Sequence, residues 1–186
     1  LLIGANPRYE ATMINARIRK AYLNNKTNII SLNDIGDLTY PYKNLDGQTQ
    51  TFKDIVENRH EISKDILASK KPMIILGESF LKNKSAEFLF NSLKNFLFKN
   101  NQYLDDWNPL NILSTDAATV GNFDLDIVSP DCELLNDLNE NKFELIYLLG
   151  QDNLNFKKKN EFIIYQGSHG DKGAEIADII LSGAAY

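Results

Sequence analysis

The sequence predicts an α/β protein built of Rossmann-like parallel-sheet layers with helices on both faces. Short apolar runs alternate with helical patterns, the arrangement in which crossover helices connect parallel strands. Three apolar runs end in glycine, at Gly4, Gly77 and Gly150. Glycine there lets the backbone turn sharply and lets a ligand approach, and the carboxyl edge of an open α/β sheet is where ligands sit. The 186 residues are 43% apolar and 24% charged, the balance of an ordinary globular chain.

Taken in order, Leu1–Gly4 predicts a strand and 11–24 a helix. Ile14, Ile18, Ala21 and Tyr22 share one face of that helix at the helical period, and Arg17, Arg19 and Lys20 lie late, where the dipole favours cations. Asn24-Asn25 predicts the stop, and 28–32 the next strand. Residues 33–50 hold Asp34, Gly36, Asp37, Pro41, Asn44, Asp46 and Gly47 and predict a loop. Phe52, Ile55 and Val56 predict a short helix that Ile62, Ile66 and Leu67 continue or restart. Met73–Gly77 has the unbroken apolar character of a buried parallel strand. Asn83 or Ser85 caps a helix running to about Asn100, with Ala86, Leu89, Phe90, Leu93, Phe96 and Leu97 as its apolar stripe. Residues 101–130 are irregular, with a short helix near 115–120. A helix over 131–139 follows, then strands over 143–150, 162–166 and 177–181. Two α/β lobes are expected, about 1–106 and 107–186. The chain opens in a strand without a start methionine and stops just past an apolar segment, so it reads as a piece of a longer polypeptide.

Bulk properties exclude several classes. A net charge of −5 and a pI near 5.1 argue against a general nucleic-acid binder. The single cysteine, Cys132, forms no intramolecular disulfide and suits a reducing compartment. It cannot by itself hold zinc or an iron–sulfur cluster. No stretch approaches the roughly 20 apolar residues of a membrane span, and no signal peptide is visible.

Gly4-Ala-Asn-Pro7 before a helix is a candidate nucleotide site, because free amides at a helix start can hold a phosphate. It lacks a G-x-G-x-x-G or a phosphate-loop pattern, and a plain tight turn explains the same residues. The glycine-rich Gln166–Gly173 loop could cradle a phosphate or ribose, and His169 with Asp171 suggests an acid–base pair. No nucleophile motif flanks His169 or the distant His60, so a loop bonded through its own backbone is the simpler reading. Asp124, Asp126 and Asp131 lack the spacing of a calcium loop and read as solvated acids or caps. Asp105-Asp-Trp107 reads as a turn with an aromatic anchor. Lys157-Lys-Lys159 reads as a solvated face, with a contact to an acidic partner chain as the alternative.

Several segments resemble, in order, the large iron–sulfur subunit of respiratory NADH:quinone oxidoreductase (complex I). Leu2-Ile-Gly-Ala-Asn-Pro-Arg-Tyr-Glu-Ala11 and Asn15-Ala-Arg-Ile-Arg-Lys20 are similar to its G-x-N-P-R-x-E-A and N-A-R-I-R-K stretches. Asp37-Leu-Thr-Tyr40, Lys70–Gly77, Trp107 with Asn111-Ile-Leu113, and Leu148–Asp152 match further segments. The run Tyr165–Tyr186 resembles Y-Q-G-x-H-G-D-x-G-A-x-I-A-D-[VI]-I-L-P-G-A-A-Y, with Ser182 in place of proline. The first and last matches are specific; 41–69 and 83–106 match weakly.

The resemblance implies a molybdopterin-oxidoreductase-like domain of the formate dehydrogenase kind, non-catalytic here and serving as scaffold and subunit contact in the peripheral arm. Iron–sulfur clusters (2Fe-2S, 4Fe-4S) would sit elsewhere in the subunit, with no cofactor in this region. Vestigial cofactor-site positions would be Gly4, Asn6, Arg8, His169 and Asp171. The expected partners are other peripheral-arm subunits, without nucleic acid and without insertion into the membrane. The expected place is the cytoplasmic face of a bacterial inner membrane or the matrix face of the mitochondrial one. The competing reading is an active molybdopterin-guanine-dinucleotide oxidoreductase domain; a generic nucleotide-binding or protein-contact module is the third.

Overall fold

A computed structural model of the chain describes residues 1–116, 118–128, 134–154 and 156–184. The chain divides into two compact units, Leu1–Val120 and Gly121–Tyr186. The division falls later than the 106/107 position expected above, because Leu110–Leu113 pairs into the first unit's sheet.

The first unit holds five parallel strands: β1 (Leu2–Ile3), β2 (Ile30–Ser31), β3 (Lys43–Asn44), β4 (Ile74–Gly77) and β5 (Leu110–Leu113). Their spatial order is β3-β2-β1-β4-β5, the Rossmann order, whose direction reverses between β1 and β4. Leu2 pairs with Ser31 on one side and Ile75 on the other. Alternation along the strands sends side chains to opposite faces, so two cores form. Ile3, Ile30, Ile74, Leu76 and Leu110 meet α3 (Thr49–Val56), α4 (Glu61–Ala68), α5 (Glu78–Leu81) and α6 (Ala86–Lys99) on one face. Leu2, Ile29, Ile75 and Leu113 meet α2 (Thr12–Asn25) and the 35–42 loop on the other.

Several local expectations change. On α2, Ile14 is exposed while Asn15 is buried. Asn15 is satisfied there: its Nδ2 donates to the Leu38 carbonyl at 3.1 Å and its Oδ1 accepts from the Tyr40 hydroxyl at 2.7 Å. Burial pushes the Tyr40 hydroxyl up to about 12. The last turn of α2 carries no basic residue, and Lys26 ends the helix in the left-handed conformation at φ 54°. The 33–50 segment is not all loop, since it contains β3 and contributes the fully buried Leu38. Strand β5 was not anticipated, nor were the one-turn helices α1 (Pro7–Glu10) and α5. Segments of four residues are too short to show a period.

The α6 stripe is as expected, with Leu93, Phe96 and Leu97 buried and Leu89 and Phe90 packed beside them. Trp107 is an anchor: its indole N–H donates to the Pro72 carbonyl at 2.7 Å. His60 caps α4, its Nδ1 accepting the Ile62 amide, and so has a structural role.

The second unit has a parallel sheet in the order β6 (Leu145–Leu149), β7 (Phe162–Gly167), β8 (Ile179–Ser182). Helix α7 runs Thr119–Asp124, later than the 115–120 expected, and α8 runs Leu134–Asn139. Asp131 and Cys132 lie outside the described residues. Leu148, Ile163 and Tyr165 form the core with Ile146, Leu154, Phe156 and α9 (Lys172–Ile176). On the opposite face Leu145, Tyr147, Leu149, Phe162, Ile179 and Leu181 are exposed. Lys158 pairs with Asp178 at 2.6 Å and Lys159 reaches the Asn139 carbonyl, so two of the three lysines read as a solvated face bind within the unit.

Candidate functional site

In a sheet of this order the place for a ligand is the carboxyl edge at the β1/β4 switch point. Gly4, Asn6 and Arg8 lie there, on the turn after β1. Gly4 adopts φ +61°, a left-handed conformation suited to glycine. Asn6 caps α1: its Oδ1 accepts the Arg8 amide at 3.2 Å, while Glu10 reaches back to the Asn6 amide at 3.2 Å. Pro7 takes the first helical position, where a missing N–H costs nothing. The sequence thus folds this turn through local capping.

Four ties then join the strand-end loops to one another. Asn6 Nδ2 donates to the Ile35 carbonyl at 2.9 Å, linking the loops after β1 and β2. Arg8 Nη1 reaches the Asp37 carbonyl at 2.7 Å and its carboxylate at 2.5 Å. Asp37 also accepts the Thr39 amide, and these bonds lower its pKa, the Thr39 amide most. The Ser79 hydroxyl donates to the Gly4 carbonyl at 2.6 Å, linking the loops after β1 and β4. Glu78 Oε1 accepts both the amide and the hydroxyl of Thr115, at 2.8 and 2.5 Å, linking the loops after β4 and β5.

Backbone contact closes the switch point itself. A Cβ on Gly77 would stand 1.9 Å from the Gly4 carbonyl oxygen, and one on Gly4 would stand 2.7 Å from the Phe80 amide nitrogen. The cradle that glycine offers to a ligand is here filled by the neighbouring loop. The donors that would hold a dinucleotide at this edge, Asn6 and Arg8, already have internal partners.

Glu78 gives a pH signature. The Thr115 hydroxyl, then the Thr115 amide, with Lys82 adding less, pull its carboxyl from 4.5 to about 2. A folded-state pKa below the unfolded one contributes stability that is full above the unfolded value and lost as pH falls through the folded one. The Glu78 contribution should therefore fade between about pH 4.5 and 2. Urea midpoints read in that window and at neutral pH should fall less for Glu78→Gln than for the unaltered protein; equal falls would contradict the tie.

The second candidate loop is also filled from within. Tyr165, 1% exposed, lies against Gly167 and Gly173 of the Gln166–Gly173 loop. A Cβ on Gly167 would stand 2.2 Å from the Tyr165 hydroxyl, and one on Gly173 would stand 2.5 Å from its ring. That hydroxyl is 3.1 Å from both Asp152 Oδ2 and the His169 carbonyl, and Asp152 Oδ1 accepts the Gly173 amide at 3.0 Å. Burial, then the Asp152 carboxylate, raises the pKa of the Tyr165 hydroxyl. The His169 ring is exposed and meets Ser168 through Nδ1 at 2.9 Å. Asp171 starts α9 through its carbonyl, without a side-chain cap bond. Asp152 organises this loop, and residue chemistry alone did not single it out. Its only sequence signal was its place after a strand and a glycine, at the end of Leu148–Asp152.

Among the described residues, no group of three or more His, Cys, Asp or Glu is placed to hold a metal. An apolar cavity of about 360 Å³ lined by Leu134, Leu138, Leu145, Tyr147 and Phe156 contains none of the predicted site residues. No helix among the described residues is long and apolar enough to cross a membrane.

The parallel α/β fold is that of a molybdopterin oxidoreductase domain. The chain belongs to that family, whose model matches residues 1–186. Within it, the chain is 42% identical over 190 residues to the NADH-ubiquinone oxidoreductase 75 kDa subunit of Reclinomonas americana, covering all of this chain and 27% of that protein. It is 35% identical to the mitochondrial 78 kDa subunit of Neurospora crassa, again over its whole length and 25% of the relative. It is 32% identical to the mitochondrial NADH dehydrogenase (ubiquinone) iron-sulfur protein 1 of Solanum tuberosum, with 25% of that protein covered. The resemblance read from the motifs therefore holds over the full chain, which spans about a quarter of these relatives' length.

Proposed function

We propose that this chain is a non-catalytic scaffold and subunit-contact region of the large iron–sulfur subunit of NADH:quinone oxidoreductase. The parent subunit passes electrons from NADH through iron–sulfur clusters toward quinone, coupled to proton translocation. It works in the peripheral arm, at the matrix face in mitochondria or the cytoplasmic face in bacteria. The observation that carries this reading is the tied carboxyl edge, where Gly4, Asn6, Arg8, Gly77, Ser79 and Glu78 bind one another's loops. The single cysteine adds support, since a cluster bound in the usual way takes four thiolates and the sequence holds one.

On this reading Asn6 is structural. Asn6→Ala removes a cap worth about 1 kcal/mol together with the tie to Ile35. In the full-length protein it should lower the yield of assembled complex. The cluster signals in electron paramagnetic resonance should stay unchanged per assembled complex. Normal assembly with a selective cluster defect would contradict the scaffold role. The alternative, a working molybdopterin-guanine-dinucleotide domain, needs the switch point to open and Asn6 and Arg8 to leave their present partners.

A further inference from the structure

The outer face of α2 carries charge and apolar surface that the fold does not use. From Ala11 to Asn33 the sequence has four cations (Arg17, Arg19, Lys20 and Lys26) and no acid, in a chain of net charge −5. Arg17, Arg19 and Lys20 are exposed, and among the described residues none of them forms an ion pair. The inward face is accounted for by Asn15, Ile18 and Tyr22. At the helical period, Met13, Ala16, Arg17, Lys20 and Leu23 share the opposite face. Met13 is 75% exposed and Leu23 56%. A groove of about 450 Å³ runs along the flank of α2 between these two faces, lined by Asn15, Ala16, Arg19, Lys20, Leu23 and Thr39.

We infer that this face docks an acidic segment of another protein subunit. Its carboxylates would pair with Arg19 and Lys20, which line the groove, and an apolar side chain would enter beside Leu23. The composition favours protein: arginine and methionine are enriched in protein interfaces, and arginine supplies many of the residues that dominate binding. The charge favours an acidic partner, because complementary potentials speed encounter and suppress wrong partners. The face differs from the switch-point site, whose cation, Arg8, is already paired with Asp37. The inference rests on the proposed place in a multi-subunit complex.

The test uses the full-length protein co-expressed with the other peripheral-arm subunits. Arg19→Glu/Lys20→Glu should weaken association at least ten-fold and abolish its salt sensitivity. The neutral Arg19→Gln/Lys20→Gln should weaken it less. Both should keep the cluster spectrum and the melting temperature of the isolated subunit. A photo-crosslinker at position 16 should capture an acid-rich peptide of another subunit. Unchanged association, or a crosslink within the same polypeptide or to a second copy, would overturn the inference. So would unchanged association with binding to vesicles containing phosphatidylglycerol. If the unaltered protein fails to join the other subunits at all, the proposed function fails instead.

Discussion

Gly77→Ala should destabilise the first unit by about 3 kcal/mol, the upper end of ordinary overpacking. The new methyl would meet the Gly4 carbonyl oxygen at 1.9 Å, that carbonyl carbon at 2.6 Å and the Ala5 Cα at 2.7 Å. All three are backbone atoms, so no side chain can swing away. Relief requires β1 and β4 to separate at the switch point, which would disturb the Ser79–Gly4 bond. Hydrogen exchange in the full-length protein should show lost protection at the amides of β4 and of residues 4–6. Gly121→Ala is the control. That glycine is in α7 with nothing within 4 Å of an added Cβ, so alanine should be neutral or stabilise by up to about 1 kcal/mol through helix propensity. Equal, small effects at both positions would mean that the strand ends are further apart than described.

Gly167→Ala should cost the second unit about 2 kcal/mol by the same overpacking argument, with an added signature. The clash is with a side chain: the Tyr165 hydroxyl at 2.2 Å and its Cζ at 2.5 Å. Tyr165→Phe removes the nearest of these atoms. By itself it should destabilise, because Asp152 Oδ2 and the His169 carbonyl lose their contact with the hydroxyl. Together, Gly167→Ala and Tyr165→Phe should cost less than their sum, with a coupling of about 0.5 kcal/mol or more, as for residues in contact. Strict additivity in urea unfolding would show that Tyr165 does not fill the loop. If a ligand occupied the glycine loop in place of the ring, Gly167→Ala would impair ligand retention with little effect on unfolding.

The strands most legible in sequence were those with the longest apolar runs. Met73–Gly77 announced β4 because a parallel strand buried on both faces has no polar alternation, and the apolar run Phe162–Tyr165 announced β7 although one of its faces is exposed. Helix α6 was equally plain, its apolar stripe sitting where the period places it. Strand β3 was invisible: Lys43 and Asn44 are exposed and polar, and only pairing with Ile30 and Ser31 makes them a strand. The burial of Asn15 in place of Ile14 was hidden for a similar reason. A polar residue enters a core only when partners wait there, and Leu38 and Tyr40 come from a segment that looked like open loop.

The candidate site was legible as a place and illegible as a state. Gly4, Asn6 and Arg8 were found because a strand, a glycine turn and a helix start coincide. That Ile35, Asp37 and Ser79 would engage those groups follows from β1 lying between β2 and β4, which no local pattern encodes. The glycine loop before α9 shows the same limit. Its glycines suggested room for a phosphate, whereas the space they leave is taken by Tyr165, the residue just before the loop in sequence.

The most direct test is the molybdenum, tungsten and pterin content of the full-length parent protein, purified without chelators and with its iron–sulfur signals intact. A closed switch point held by Gly4, Gly77 and Ser79 predicts neither metal nor pterin at stoichiometric level. One metal and one pterin dinucleotide per chain would contradict it and make this an active molybdopterin domain.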